Sequence, residues 1–325
     1  MVDILAGYIS GSTVDLARVR SERGKVALSK HRGYVASDFP DFESILDQFV
    51  KNAKTELSVA CFGVAGPVIS DVVSLTNLDW HIEAAKLEKQ FGFDRVQLVN
   101  DLVATAHGLS QLNPDKHFII NEGKPVVGGN LGLIAAGAGL GEALIHIDDN
   151  GKHYPYASEG GHADFAPGNQ LETELWQYLY SELGRVEAED VVSVAGLERI
   201  YNFLVDTQSG VRSEWFRAAK DRPMAIVEKA LAGADETASR TLDLFIDCYA
   251  SEAANLALKG MTLGGIYIGG PIAPQIITAI DNGRFMERFI KHGKMESILA
   301  SMPVGVIIED KTALLGAASV ALGIR

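Results

Sequence analysis

Two stretches of this chain repeat one layout, and that repetition narrows the possible folds more than any other feature. VDILAGYI (2–9) reads as a buried strand; a glycine turn follows, VDLARVR (14–20) returns with rough alternation, and SERGK reverses the chain into VALSKHRGYVA. The same succession of strand, tight turn, strand, turn and strand recurs over 131–157, as LGLIAAG, GLG, EALIHID, DDNGK and HYPYA. The repeat lies in layout rather than in letters. Alternating helices and strands follow each copy, so the expectation is an α/β chain of two similar lobes facing across a cleft. Each lobe would offer one glycine turn to a shared ligand.

Between the copies, DFESILDQFVKNA places Phe42, Ile45, Leu46, Phe49 and Val50 on one helical face. LSVACFGVAGPV reads as a buried strand, WHIEAAKLEKQFGF as a surface helix, VQLV (96–99) as a second buried strand and DLVATAHGL as a helix. Beyond the second copy the chain turns helical. NQLETELWQYLYSELG opens on a cap-like Asn169 with Glu172 three residues on, and 236–259 is a long amphipathic helix. GGIYIGG and VGVIIED read as strands, and ALLGAASVALG as a last helix that folds back onto the first lobe. The expected lobes are 1–108 with 304–325, and 109–303.

At 325 residues and 47% hydrophobic content the chain can bury a core large enough to divide in two. A formal charge of −13 repels phosphate-rich polymers and anionic membranes, so nucleic acid and lipid are poor partners. Cys61 and Cys248 are far apart and each sits in an apolar run, which suits buried thiols in a reducing compartment. No basic and apolar leader opens the sequence, and no apolar run approaches the roughly 18 residues of a membrane span. The expectation is a soluble cytoplasmic protein.

Three segments carry chemistry. In VNDLVATAHG, Asn100 and Asp101 stand at the carboxyl end of a buried strand, where ligands of open α/β sheets gather. One reading makes the carboxylate a general base; the other makes one of the pair a helix N-cap. In SEGGHADFAP, Glu159, two glycines, His162 and Asp164 suit a polyhydroxylated ligand such as a sugar, or form a polar turn capped by its own side chains. Zinc would need a third protein ligand that no nearby pattern supplies. GAGLGEA (137–143) does not open a helix, so it reads as a hairpin turn whose amides face a phosphate, not as a dinucleotide fingerprint.

Taken in order, CFGVAGPV, LTNLDW, VNDLVATAHG, AAGAGLGEA, SEGGHADFAP and YIGGPIAP closely resemble the bacterial glucokinases of the non-ROK hexokinase type, over essentially the whole chain. The resemblance implies the actin-like ATPase fold of two ribonuclease-H-like lobes, a homodimer, glucose or a related hexose as substrate, and ATP with Mg2+. By motif, Asp101 resembles the base that accepts the proton of the sugar 6-hydroxyl. Asn100, Glu159 and His162 resemble ring-hydroxyl ligands, and Glu189 a further acidic sugar contact.

The nucleotide half departs from the family pattern. Where the family reads Asp-x-Gly-Gly-Thr, this chain has Tyr8, Ile9, Ser10, Gly11 and Ser12. Gly-Thr-Gly becomes Gly137, Ala138 and Gly139; Ser-Gly-Pro-Gly becomes Ser193, Val194, Ala195 and Gly196; Gly-Gly-Gly becomes Gly269, Gly270 and Pro271. Two functions follow from the resemblance: an ATP-dependent glucokinase with an atypical nucleotide site, or a glucose-binding pseudokinase that senses sugar without transferring phosphate.

Overall fold

In the computed structural model, residues 4–22, 25–51, 57–75, 78–208 and 210–323 are described. Arg23 and Gly24 of SERGK, and Thr76 and Asn77 of LTNLDW, lie outside them. The chain divides into two compact units, the first comprising 1–116, 148–157 and 309–325, the second 117–147 and 158–308.

Thirteen strands appear among the described residues: β1 (Ile4–Ile9), β2 (Thr13–Glu22), β3 (Lys25–Val35), β4 (Val59–Val64), β5 (Val72–Ser74), β6 (His81–Glu83), β7 (Arg95–Asn100), β8 (His117–Asn121), β9 (Leu131–Ala136), β10 (Leu140–Ile147), β11 (His153–Ser158), β12 (Gly265–Gly269) and β13 (Val304–Ile307). The first sheet has the order β3-β2-β1-β4-β7 and the second β11-β10-β9-β12-β13-β8. In the first, β1 is antiparallel to β2 and parallel to β4; in the second, β9 is antiparallel to β10 and parallel to β12. The doubled meander therefore becomes a doubled sheet, with β8 added at one edge, antiparallel to β13.

The helices are α1 (Phe42–Lys51), α2 (Ala84–Phe91), α3 (Asp101–Leu109), α4 (Gln170–Leu183), α5 (Ala188–Val191), α6 (Val194–Thr207), α7 (Glu214–Ala218), α8 (Arg222–Leu231), α9 (Glu236–Gly260), α10 (Ile277–Ile280), α11 (Arg284–Ile290), α12 (Glu296–Ser301) and α13 (Thr312–Leu322). The apolar face read for α1 is buried at Phe42, Ile45, Leu46 and Phe49. Asn169 caps α4 by accepting from the Glu172 amide at 2.9 Å.

Two expected boundaries shift. The helix of WHIEAAKLEKQFGF begins at Ala84, because His81–Glu83 pairs with Val72–Ser74 as a short ladder. The strand of LSVACFGVAGPV ends at Val64, before the Gly66-Pro67 bend.

Alternation along β1 sorts its side chains. Leu5 and Ile9 enter a core with Phe42, Leu46, Phe62 and Leu87, whereas Ile4 and Ala6 pack with Cys61, Leu314, Ala317 and Ala318 of α13. The α13–α3 contact is made by small residues. A Cβ on Gly316 would collide with the Ala104 carbonyl and one on Gly108 with the Thr312 carbonyl, so the two backbones touch. The larger core of the second unit gathers around α9, through Leu242, Phe245, Tyr249, Ala253 and Leu256.

Candidate active site

The first unit carries Tyr8, Ser10–Ser12, Asn100 and Asp101. Tyr8 lies on the same face of β1 as Ile4 and Ala6, half-buried, with its ring 3.6 Å from where a Cβ on Gly63 would sit. That is the face of α3. Burial, then the carboxylates of Asp101 and Asp15, push the Tyr8 phenol well above its ordinary value, so it stays a neutral hydroxyl.

The turn after β1 closes on itself. Ser10 Oγ accepts from the Thr13 amide at 3.0 Å and lies 2.9 Å from Thr13 Oγ1, while the Ser10 amide donates to the Thr13 carbonyl at 2.9 Å. The Ser10 hydroxyl thus braces the turn, and Gly11 and Ser12 form its tip. No carboxylate stands within 8–12.

Asn100 ends β7 and caps α3. Its Oδ1 accepts from the Leu102 amide at 2.9 Å and the Val103 amide at 3.3 Å, and its Nδ2 donates to the Gly66 carbonyl at 3.3 Å. Of the adjacent pair, Asn100 therefore takes the capping role. Asp101 is the first residue of α3, its Oδ1 accepting from Leu102 N at 2.9 Å.

The second unit carries the remaining candidates. Its hairpin turn is held by Gly137 N donating to the Gly139 carbonyl at 2.8 Å, and Glu189 Oε2 accepts from Leu140 N at 2.8 Å. The Glu189 carboxylate lies directly against Gly139, where a Cβ would displace it from the turn. Glu189 is therefore an anchor of this hairpin turn, a link sequence spacing does not reveal.

The separated segments at 193–196 and 269–271 converge on the same turn. Val194 N donates to the Gly137 carbonyl at 2.8 Å, and a Cβ on Gly137 would lie 3.1 Å from Pro271 Cδ. Ser193 caps α6, accepting from Gly196 N at 3.1 Å. Gly270 has φ +82°, a conformation that glycine adopts without strain.

Beneath this cluster lies Tyr249, fully buried on α9. Its hydroxyl accepts from Ala136 N at 3.1 Å and stands 3.3 Å from the carbonyls of Ile134 and Gly269, to one of which it donates. One phenol thus ties the ends of β9 and β12, the strands that carry both turns. Tyr249→Phe should lower stability by about 1–3 kcal/mol, the cost of stranding a buried amide and carbonyl, measured by denaturant unfolding. An unchanged midpoint would show that the bridge contributes nothing.

Glu159, Gly160, Gly161 and His162 form a short turn after β11. His162 Nδ1 lies 2.7 Å from Glu187 Oε2, a bond that raises the imidazole above its ordinary value. Arg185 spans the same group, donating to Asp164 Oδ1 at 2.9 Å and to the His162 carbonyl at 3.1 Å. Glu187 and Arg185 were not expected as partners. They lie more than twenty residues downstream, and only the fold makes them neighbours.

Among the described residues no group of three or more His, Cys, Asp or Glu side chains could hold a metal ion. With Ser10 engaged in its own turn and a phenol at position 8, the turn after β1 itself supplies no carboxylate to a magnesium ion.

A family profile described as Glucokinase matches residues 5–323. The glucokinase of Nostoc punctiforme is 36% identical over 336 residues, which cover 98% of this chain and 98% of that protein. A crystal structure of glucokinase from an Antarctic psychrotroph aligns with a TM-score of 0.88 at 26% identity, covering 99% of both chains. That of glucokinase from Balamuthia mandrillaris, in complex with glucose, aligns at 0.81 and 22% identity, over 99% of this chain and 94% of that one. The shared architecture is the actin-like ATPase fold. The chain belongs to the glucokinase family.

Proposed function

We propose that this protein transfers the γ-phosphoryl group of ATP to the 6-hydroxyl of glucose, with Asp101 as general base. The observation that carries the reading is the division of labour at the end of β7. Asn100 takes up the capping of α3, and Asp101 follows it at the head of the helix with its carboxylate in the first turn.

In this mechanism the sugar 6-oxygen attacks the γ-phosphorus, the bond from phosphorus to the β,γ-bridging oxygen breaks, and ADP leaves. Asp101 accepts the hydroxyl proton. Glu159 and His162 bind ring hydroxyls, with Glu187 orienting the imidazole. Glu189 joins them through its carboxylate while still anchoring the hairpin turn. Asn100 serves the sugar mainly by fixing the start of α3. Tip residues Gly11 and Ser12, with the 137–139 turn, meet the phosphates through backbone amides, since such transfer relies on positioning and charge stabilisation. A homodimer and a cytoplasmic location complete the proposal.

The test is glucose 6-phosphate formation with MgATP and saturating glucose at high protein concentration, with Asp101→Ala as the contamination control. Product that disappears in the variant supports the reading. A second reading, a glucose-binding protein without transfer, is favoured by Tyr8 and by the closed Ser10 turn. Equal background in both proteins, together with calorimetric glucose binding that Glu159→Ala weakens, would establish it instead.

A further inference from the structure

Glu142 is the one acid in its strand, flanked by Gly141 and Ala143. It lies on β10 and is 2% exposed. Its carboxyl lies close to that of Glu252 of α9, itself 5% exposed. The two acids have different surroundings. Glu252 has the partners of a carboxylate, accepting from Asn255 Nδ2 at 3.0 Å and pairing with Lys259 Nζ at 3.6 Å. Glu142 Oε1 has no hydrogen-bond partner among the described residues. A buried carboxyl so placed is far less costly neutral than ionised.

The Glu159–His162 turn rests directly on this acid. A Cβ added to Gly160 would collide with Glu142 Oε2, so the turn's backbone lies on the carboxyl. Ser158 Oγ donates to the Glu142 carbonyl at 3.3 Å and accepts from Gly160 N at 3.2 Å, fastening the turn to the same residue.

We infer that Glu142 is a positioning residue, which in its neutral form donates its proton to Glu252 and so holds the Ser158–His162 turn against β10. The role of that turn in binding sugar rests on the function proposed above; the positioning itself does not.

Burial and the Glu252 charge push the Glu142 carboxyl up to about 7, against the counter-pull of Lys259. Tyr249, close enough to feel this carboxyl, stays neutral because it is buried. The folded protein then holds a proton that the unfolded chain loses near pH 4.5. The contribution is complete at low pH and is lost as pH rises through about 7. Above that, two carboxylates share one buried site and the turn loses its seat.

The test uses the whole protein and reads amide hydrogen exchange, corrected for the intrinsic pH effect, across residues 158–163. If only the protonated pair holds the turn, protection should fall about tenfold between pH 6 and pH 8. Glu142→Gln keeps a donor toward Glu252 without a titrating proton, so its protection should stay flat; Glu252→Gln, which removes the neighbouring charge, should flatten it too. A flat wild-type profile overturns the inference. So does a fall that persists in Glu142→Gln, which would assign the titration to His162.

Glucose affinity by calorimetry over the same range should follow the exchange profile. A tenfold fall in protection with no glucose binding at either pH would keep Glu142 in its role and remove the sugar-site reading.

Discussion

Asp101→Asn should lower glucose 6-phosphate formation by about 10²–10⁴-fold, the range that a positioned general base contributes. The amide keeps the size of the side chain and can still accept from the Leu102 amide, so α3 should form as before. Its loss is confined to proton acceptance. The favourable interaction of a carboxylate with the helix end is worth only about 0.3–1 kcal/mol, so melting should move little. Steady-state kinetics and a melting curve on the same preparation separate the two effects. A rate within threefold of wild type would remove Asp101 from the chemistry.

A rise of about 10²-fold in kcat should follow from combining Tyr8→Asp, Ser10→Gly, Ser12→Thr and Ala138→Thr, since a single charge-stabilising group is commonly worth that much. Ser10→Gly opens the braced turn, freeing the Thr13 amide from its hydroxyl partner. Tyr8→Asp replaces a neutral phenol with a carboxylate on the face of α3. It also strips half-buried ring contacts beside Gly63 and α13, at a cost of about 2–3 kcal/mol. A lower melting temperature with higher turnover is therefore the expected pair of results. No gain in turnover would place the restriction elsewhere, with Pro271 beside Gly137 the next position to change.

The sequence discloses this fold where periodicity is long enough to count. The two meanders, the α1 face and the capped start of α4 are all legible, because each spans several repeats of a strand or helix period. Short elements escape. β8 is five residues of HFIIN, an apolar run that suits a strand or a helix, and β5 and β6 are three residues each. Such pieces exist because a partner strand is present.

The site divides along the same line. Asn100 and Asp101 are visible from their place after a strand, and Glu159 and His162 from their density around two glycines. Glu187 under His162, Glu142 under Gly160 and Tyr249 behind both turns are distant in sequence from the groups they hold. GLGEA does contain a signal in retrospect, an acid inside a mostly apolar strand, which asks for a buried partner.

The backbone contact between Gly316 of α13 and Ala104 of α3 has a consequence for how the protein is made. Strand β1 needs a wall that belongs to α13, which is translated only after the whole second unit, and domains settle as whole units during synthesis. The N-terminal sheet must therefore wait, one face uncovered, through the translation of the entire second unit. A nascent chain halted before residue 309 would contain Asp101 but lack the helix that backs it. Assembly of the proposed catalytic base is thereby deferred until α13 has been translated, so a product truncated before it would be a poor sugar kinase by construction.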